Sequence, residues 1–264
     1  VPEGDTIWRT AAGLRERVGG RVVTAARPDR LAGLVGRTLE AIEPAGKHLL
    51  MRFSGGWTLH SHMRMRGSWH LYRSGERWQR PEWQARAVLE FGDRLAVCFS
   101  APVLDLVREG REPLGHLGPD LLAPDLRLEE VVARARAVGP VALGELLLDQ
   151  RVGSGIGNVY KCETLWRLGL DPWRSSADLD DRALAELFAA ARSAMLANLH
   201  GAAPRRFQGR PAAVHGRRGR PCPRCGTPVR ARPQGEQARI TYWCPSCQAG
   251  DPLEPGTGPR ERPR

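Results

Sequence analysis

Residues 143–160 read LGELLLDQRVGSGIGNVY, and the fold turns on how that stretch is taken. Gly153, Gly155 and Gly157 match the G-x-G-x-G part of a dinucleotide-binding fingerprint, which would require residues 143–148 to be a buried strand. That run reads better as a helix. No Gly or Ala completes the last position of the fingerprint, and no Lys-Ser/Thr pair follows as a P-loop would need. What remains is a helix, a glycine-rich turn, and a second helix over about residues 159–168. The free amides at the start of that second helix can hold a phosphate, with Arg151 and Asn158 beside them. A tight interhelical turn without a ligand is the competing explanation.

Working outward, helical spacing recurs at Leu128, Val131, Val132 and Ala135, and again at Leu184, Leu187, Phe188, Ala191 and Met195 behind a cap at Asp178. Residues 125–200 are therefore expected to form an α domain. Upstream, short alternating runs at 47–53, 57–62, 68–73, 85–91 and 94–99 are separated by Gly-rich turns, the pattern of an antiparallel sandwich or barrel. A helix precedes them, with Asp5 as N-cap, Ile7, Trp8, Ala11, Leu14 and Val18 on one face, and Gly19-Gly20 as its stop. The expected organisation is α+β multidomain: an N-terminal β-sandwich with an N-terminal helix over 1–115, the helical domain, a Gly/Pro/Arg linker over 201–220, a cysteine module over 221–248, and a disordered tail over 249–264.

The chain has 264 residues, 41% of them hydrophobic, enough for a real core. No apolar run is long enough for a bilayer, and Glu3 and Asp5 stand where a secretory signal would be basic, so a cytoplasmic site without a membrane partner is expected. Forty Lys+Arg oppose 29 Asp+Glu, a net +11; residues 201–264 alone carry 13 Arg against 4 acids, so +9. Such a block fits a polyanion partner, with a solvated basic tail as the alternative. Lys47 and Lys161 are the only lysines, so each invites a reason.

Cys222 and Cys225 form one C-x2-C pair, Cys244 and Cys247 another, and two such knuckles close a tetrahedral zinc site. A four-sulfur site has no open position, so one structural zinc ion is expected. Cys98 and Cys162 sit in apolar surroundings and read as core. Between the knuckles, residues 229–232 and 238–243 can pair as a hairpin that ends near Arg239, whose planar fork suits a backbone phosphate; a solvated charge is the bland alternative.

In order along the chain come Pro2-Glu3-Gly4, Gly46-Lys47-His48-Leu49-Leu50, Leu148-Asp149-Gln150 with Gly155-Ile156-Gly157-Asn158-Val159-Tyr160 and Glu163, and Arg239-Ile240-Thr241 with Cys244-x-x-Cys247. This succession resembles the formamidopyrimidine-DNA glycosylase and endonuclease VIII family over about residues 2–248. The resemblance implies a helix-two-turns-helix domain, a zinc ribbon, and a bifunctional glycosylase and abasic-site lyase of base-excision repair. Its partner would be duplex DNA with damaged bases or abasic sites, bound by a monomer.

By that resemblance Pro2 is the nucleophile, Glu3 shuttles protons, and Lys47 binds phosphate near the lesion. An α-amine titrates near 8 where a lysine side chain titrates near 10.4, so a terminal amine is the better nucleophile at neutral pH. Val1 precedes Pro2, and an acylated proline nitrogen is inert. The mechanism therefore requires removal of Val1, which is simplest if it represents a non-AUG start read as methionine and then cleaved. The stretch His62-Met63-Arg64-Met65-Arg66-Gly67 resembles the family's void-filling loop, with Met65 as wedge and Arg64 or Arg66 reading the opposite base. Met63 and Met65 share a face on a strand, so the core can claim one of them. The Pro-Glu-Gly start and the short interval from Asn158 to Cys222 resemble the endonuclease VIII branch, which removes oxidised pyrimidines, more than the purine branch. A non-catalytic damaged-DNA-binding protein and a ribosome-associated RNA-binding zinc protein are the rival readings.

Overall fold

The computed structural model describes residues 2–199 and 211–249. Its described residues divide into two compact units, one of residues 2–126, 153–155 and 199, the other of residues 127–152, 156–198 and 211–249. No helix among the described residues is long and apolar enough to cross a membrane.

In the first unit α1 (Gly4–Val18) precedes eight strands: β1 (Ala25–Arg27), β2 (Leu39–Ala45), β3 (His48–Phe53), β4 (Trp57–His62), β5 (Ser68–Arg73), β6 (Ala85–Phe91), β7 (Arg94–Phe99) and β8 (Val103–Arg108). They pair antiparallel into two four-stranded sheets, ordered β2-β3-β4-β8 and β1-β6-β7-β5. Alternation explains the core: Leu49, Met51, Phe53 and Leu59 of one sheet and Ala87, Leu89, Ala96 and Cys98 of the other point inward, joined by Ile7, Ala11, Leu14 and Val18 of α1. The five strands expected at 47–53, 57–62, 68–73, 85–91 and 94–99 are the observed β3 to β7, with β3 starting one residue later; β1, β2 and β8 lacked a strong alternation of their own. Asp5 is not the cap of α1. The Glu3 carbonyl already accepts the Thr6 and Ile7 amides at 3.0 and 3.2 Å, which starts the helix earlier and leaves Asp5 buried in its first turn.

The second unit holds α2 (Leu128–Ala137), the single-turn α3 (Leu143–Leu146), α4 (Asn158–Leu168), α5 (Asp181–Leu196) and a hairpin of β9 (Arg230–Gln234) with β10 (Arg239–Trp243). The deciding stretch is thus helical, although α3 is shorter than the leucine run suggests because Asp149 to Val152 close into a turn. The cap of α5 is Asp180, whose carboxylate accepts the Ala183 amide at 2.7 Å; Asp178 instead ends a short 3-10 turn. Two of the expected linker's residues, Ala213 and Val214, are buried, because the amides of Ala213, Val214 and His215 all donate to the Glu163 carboxylate at 2.7–2.9 Å. Residues 201–210 and the expected tail beyond 249 lie outside the described residues.

Candidate functional site

Three threads of the first unit converge on Ser154 and Gly155. Gly4 donates its amide to the Gly155 carbonyl at 2.9 Å, which fixes Pro2 and Glu3 at the mouth of α1. Gly46 is pressed against the same dipeptide: a Cβ added there would lie 2.8 Å from Ser154 Cβ and 2.9 Å from its Oγ. Its φ of +58° is a second reason for glycine, since L side chains avoid the left-handed region. Lys47 is the next residue, so Pro2, Glu3 and Lys47, far apart in sequence, flank one dipeptide. Glu3 is only 3% exposed, held next to the positive end of α1, where a carboxylate is favoured.

Asp120 closes this corner, and sequence reasoning missed it. Its Oδ2 accepts both the Gly46 amide at 2.9 Å and the Trp8 indole N–H at 3.0 Å, while Oδ1 takes the Leu122 amide at 2.8 Å. Ser154 donates its amide to the Pro119 carbonyl and accepts that of Leu121. One carboxylate therefore ties helix, lysine turn and glycine loop together. The sequence signal was slight: a lone acid after Gly118-Pro119 in a connection without periodicity.

Beside Lys47 the strands β3 and β4 bring His48, His60 and His62 together, with His116 nearby. His48 Nδ1 and His60 Nε2 are 2.8 Å apart. Burial, then the charges of His62, His60, His116 and Lys47, push His48 down to about 3; burial, then Arg64, Lys47 and His60, bring His62 down to about 4. At neutral pH the His48 and His62 rings are therefore uncharged. Of the two methionines ahead, Met63 is the core residue and Met65 is 57% exposed on a turn formed by residues 64–66. Arg64 and Arg66 are exposed at its flanks.

In the second unit Asn158, the first residue of α4, donates its Nδ2 to the Ile240 carbonyl at 2.8 Å and so pins β10 next to exposed Arg239. Lys161 is fully buried and donates to Thr241 Oγ1 at 2.6 Å; Thr241 passes the chain on to Gln234 Oε1. The second lysine thus supports the hairpin. Arg151 is already forked onto Asp149, with Nε and Nη2 at 2.9 and 2.7 Å from its two oxygens, which holds that carboxyl below its usual range.

The thiols of Cys222, Cys225, Cys244 and Cys247 lie within 4.8 Å of one another. Sulfur separations of 3.4–3.9 Å match a tetrahedral site, where Zn–S bonds near 2.3 Å imply about 3.8 Å. The Trp166 indole donates to Cys222 Sγ at 3.3 Å and hydrogen bonding from Thr227 brings Cys225 down to about 6, whereas burial and the neighbouring thiols push Cys244 and Cys247 up. The four cysteines can hold a metal ion. Cys98 and Cys162 are buried core residues.

Comparison with known proteins matches the formamidopyrimidine-DNA glycosylase N-terminal domain to residues 1–102 and that family's H2TH domain to residues 117–206. A probable endonuclease 8 2 from Streptomyces coelicolor is 46% identical, covering all of both chains. A DNA-(apurinic or apyrimidinic site) lyase Nei2 from Mycolicibacterium smegmatis is 35% identical over 94% of this chain and 99% of its own. Among solved structures, the MutM (Fpg) protein of Thermus thermophilus superposes with a TM-score of 0.75 at 29% identity, covering 94% of this chain and 98% of that one. Lactococcus lactis Fpg in complex with abasic-site DNA gives 0.80 at 20% identity over 94% and 100%, a likeness of fold. Sequence order, architecture and full-length relatives agree, and the chain belongs to the formamidopyrimidine-DNA glycosylase and endonuclease 8 family.

Proposed function

We propose that this chain is a bifunctional DNA glycosylase and abasic-site lyase of base-excision repair, acting on oxidised bases with pyrimidines favoured. The observation that supports the reading is the convergence of Gly4 and Gly46, the chain neighbours of Glu3 and Lys47, on Ser154 and Gly155. Once Val1 is removed, the Pro2 secondary amine attacks C1′ of a damaged nucleoside and the base departs with the glycosidic electron pair. The resulting iminium acidifies the C2′ proton; its loss expels the 3′ phosphate, and a further elimination expels the 5′ phosphate. Glu3 takes the proton that the Pro2 nitrogen sheds on attack, delivers it to the opening sugar oxygen, and recovers one from the intermediate. Lys47 neutralises the phosphate flanking the lesion. Met65 fills the space vacated by the extruded nucleotide, with Arg64 or Arg66 facing the opposite base.

In the second unit Arg239 grips backbone phosphate, with the α4 N-terminus at Asn158 as a further anion site; Arg151 joins only by leaving Asp149. Cys222, Cys225, Cys244 and Cys247 would hold one zinc ion, which supplies the closure that keeps the hairpin folded. The relatives' names favour the endonuclease 8 branch; a monomer working on DNA in a bacterial cytoplasm fits this reading.

Borohydride reduction in the presence of abasic-site DNA tests the reading. A covalent adduct at Pro2, lost when intact mass shows Val1 still attached and the proline nitrogen is an amide, is the expected result. Failure of correctly processed protein to cross-link would leave a DNA-binding scaffold without lyase chemistry.

A further inference from the structure

The turn that presents Met65 is held at both ends by side chains that the reading above does not use. At its start Arg64 adopts φ +44°, a conformation non-glycine residues seldom take, and its amide donates to His62 Nδ1 at 3.1 Å. That bond needs an uncharged His62 with a lone pair on Nδ1, and burial together with Arg64, Lys47 and His60 keeps the ring neutral. At its end Gly67 donates back to the Met63 carbonyl at 2.8 Å, packed so closely that an added Cβ would lie 2.6 Å from that same oxygen. The Arg66 carbonyl is taken by Arg80 Nη1 at 3.0 Å.

Arg80 is itself held. The β5–β6 connection that carries it is anchored by Trp78, whose ring stacks on Tyr72 at 6.0 Å and meets Phe99 edge-on at 5.7 Å, and by the Gln79 amide donating to the Tyr72 hydroxyl at 3.1 Å. A side chain fixed to a packed sheet thus reaches across to the carbonyl that follows the exposed methionine. Three tethers on one short turn, two of them from outside it, are more than a loop free to rearrange would need.

We infer that Arg80, with His62, is a positioning residue that holds Arg64-Met65-Arg66 as a pre-formed wedge, so that the methionine meets DNA already protruding. The inference rests on Met65 being the void-filling residue. Pre-organisation spares the ordering of the turn during nucleotide extrusion, so its loss slows steps that need a base pair opened and spares steps that do not.

The test uses the processed full-length protein with Arg80→Met, which keeps the stem and removes the donors, Arg80→Lys, which restores a donor, and Met65→Ala. Single-turnover rates at saturating enzyme are measured for removal of a paired oxidised pyrimidine and for strand cleavage at a preformed abasic site, alongside the thermal midpoint. Arg80→Met is expected to slow base removal on the order of tenfold, the scale of one lost charge-assisted hydrogen bond, with abasic-site cleavage within about twofold and the midpoint unchanged; Arg80→Lys should recover part of the loss. Should Met65→Ala leave base removal unaffected, the wedge reading itself is wrong. With Met65→Ala slow and Arg80→Met normal, only the positioning role is overturned. It is equally overturned if Arg80→Met weakens binding with a shallower salt dependence at an unchanged saturating rate, which marks a phosphate contact, or if both reactions slow alike.

Discussion

Gly46→Ala separates two costs that the structure superimposes at the lysine turn. The new Cβ must adopt φ +58°, and it must also enter space occupied by Ser154 Cβ and Oγ at 2.8 and 2.9 Å. Gly20 is an internal control, with φ +74° and nothing within 4 Å of an added Cβ. The dihedral cost at either position is about 1–2 kcal/mol, and any gain from stiffening the unfolded chain is shared. Overpacking against Ser154 adds about 1–3 kcal/mol at Gly46 alone. Urea denaturation should therefore show Gly46→Ala losing about 1–3 kcal/mol more than Gly20→Ala. Ser154→Gly removes both crowding atoms, so a double-mutant cycle between positions 46 and 154 should return a coupling of about 1–3 kcal/mol. Because the shift pushes Lys47 away from Pro2, the borohydride trapping rate should fall in Gly46→Ala and recover in the double variant. Equal losses at Gly20 and Gly46, no coupling, and normal trapping would refute the idea that this contact sets the lysine.

Arg239→Ala should weaken binding to DNA of any sequence and reduce the slope of log affinity against log salt by about one; unchanged anisotropy titrations would remove Arg239 from the interface. Chelation should release one metal ion per chain, lower DNA affinity and alter the emission of Trp173 and Trp243, whose rings meet edge to face at 4.6 Å; full binding after complete metal loss would make the cysteine cluster dispensable. His48 at about 3 and His62 at about 4 both lie below the ordinary 6.5, so the unfolded chain binds more protons between those values. Stability present above pH 6.5 should decline as pH falls through that window. His48→Gln should make the decline shallower in pH-dependent urea unfolding, and an unchanged slope would contradict the burial of a neutral ring.

The sequence by itself determined the local structure: β3 to β7 were legible from period-two alternation, the helices from spacing, and the four thiols from paired knuckles. These signals are short-range, because side-chain direction along a strand or helix repeats within a few residues. The ordered motifs also carried the family. Tertiary structure alone decided the rest. Nothing in the spacing of Gly4, Gly46, Asp120 and the Ser154-Gly155 pair says that they meet; they do so because Gly4 bonds Gly155, Asp120 can accept three donors at once and glycine alone fits against Ser154. The choice between Met63 and Met65 was likewise settled by packing, since the chain leaves β4 for a turn and strand alternation no longer applies. Buried Lys161 and the Glu163 carboxylate under residues 213–215 follow the same rule: a polar group can be enclosed only where distant donors and acceptors arrive to satisfy it, and their arrival is not written in neighbouring residues.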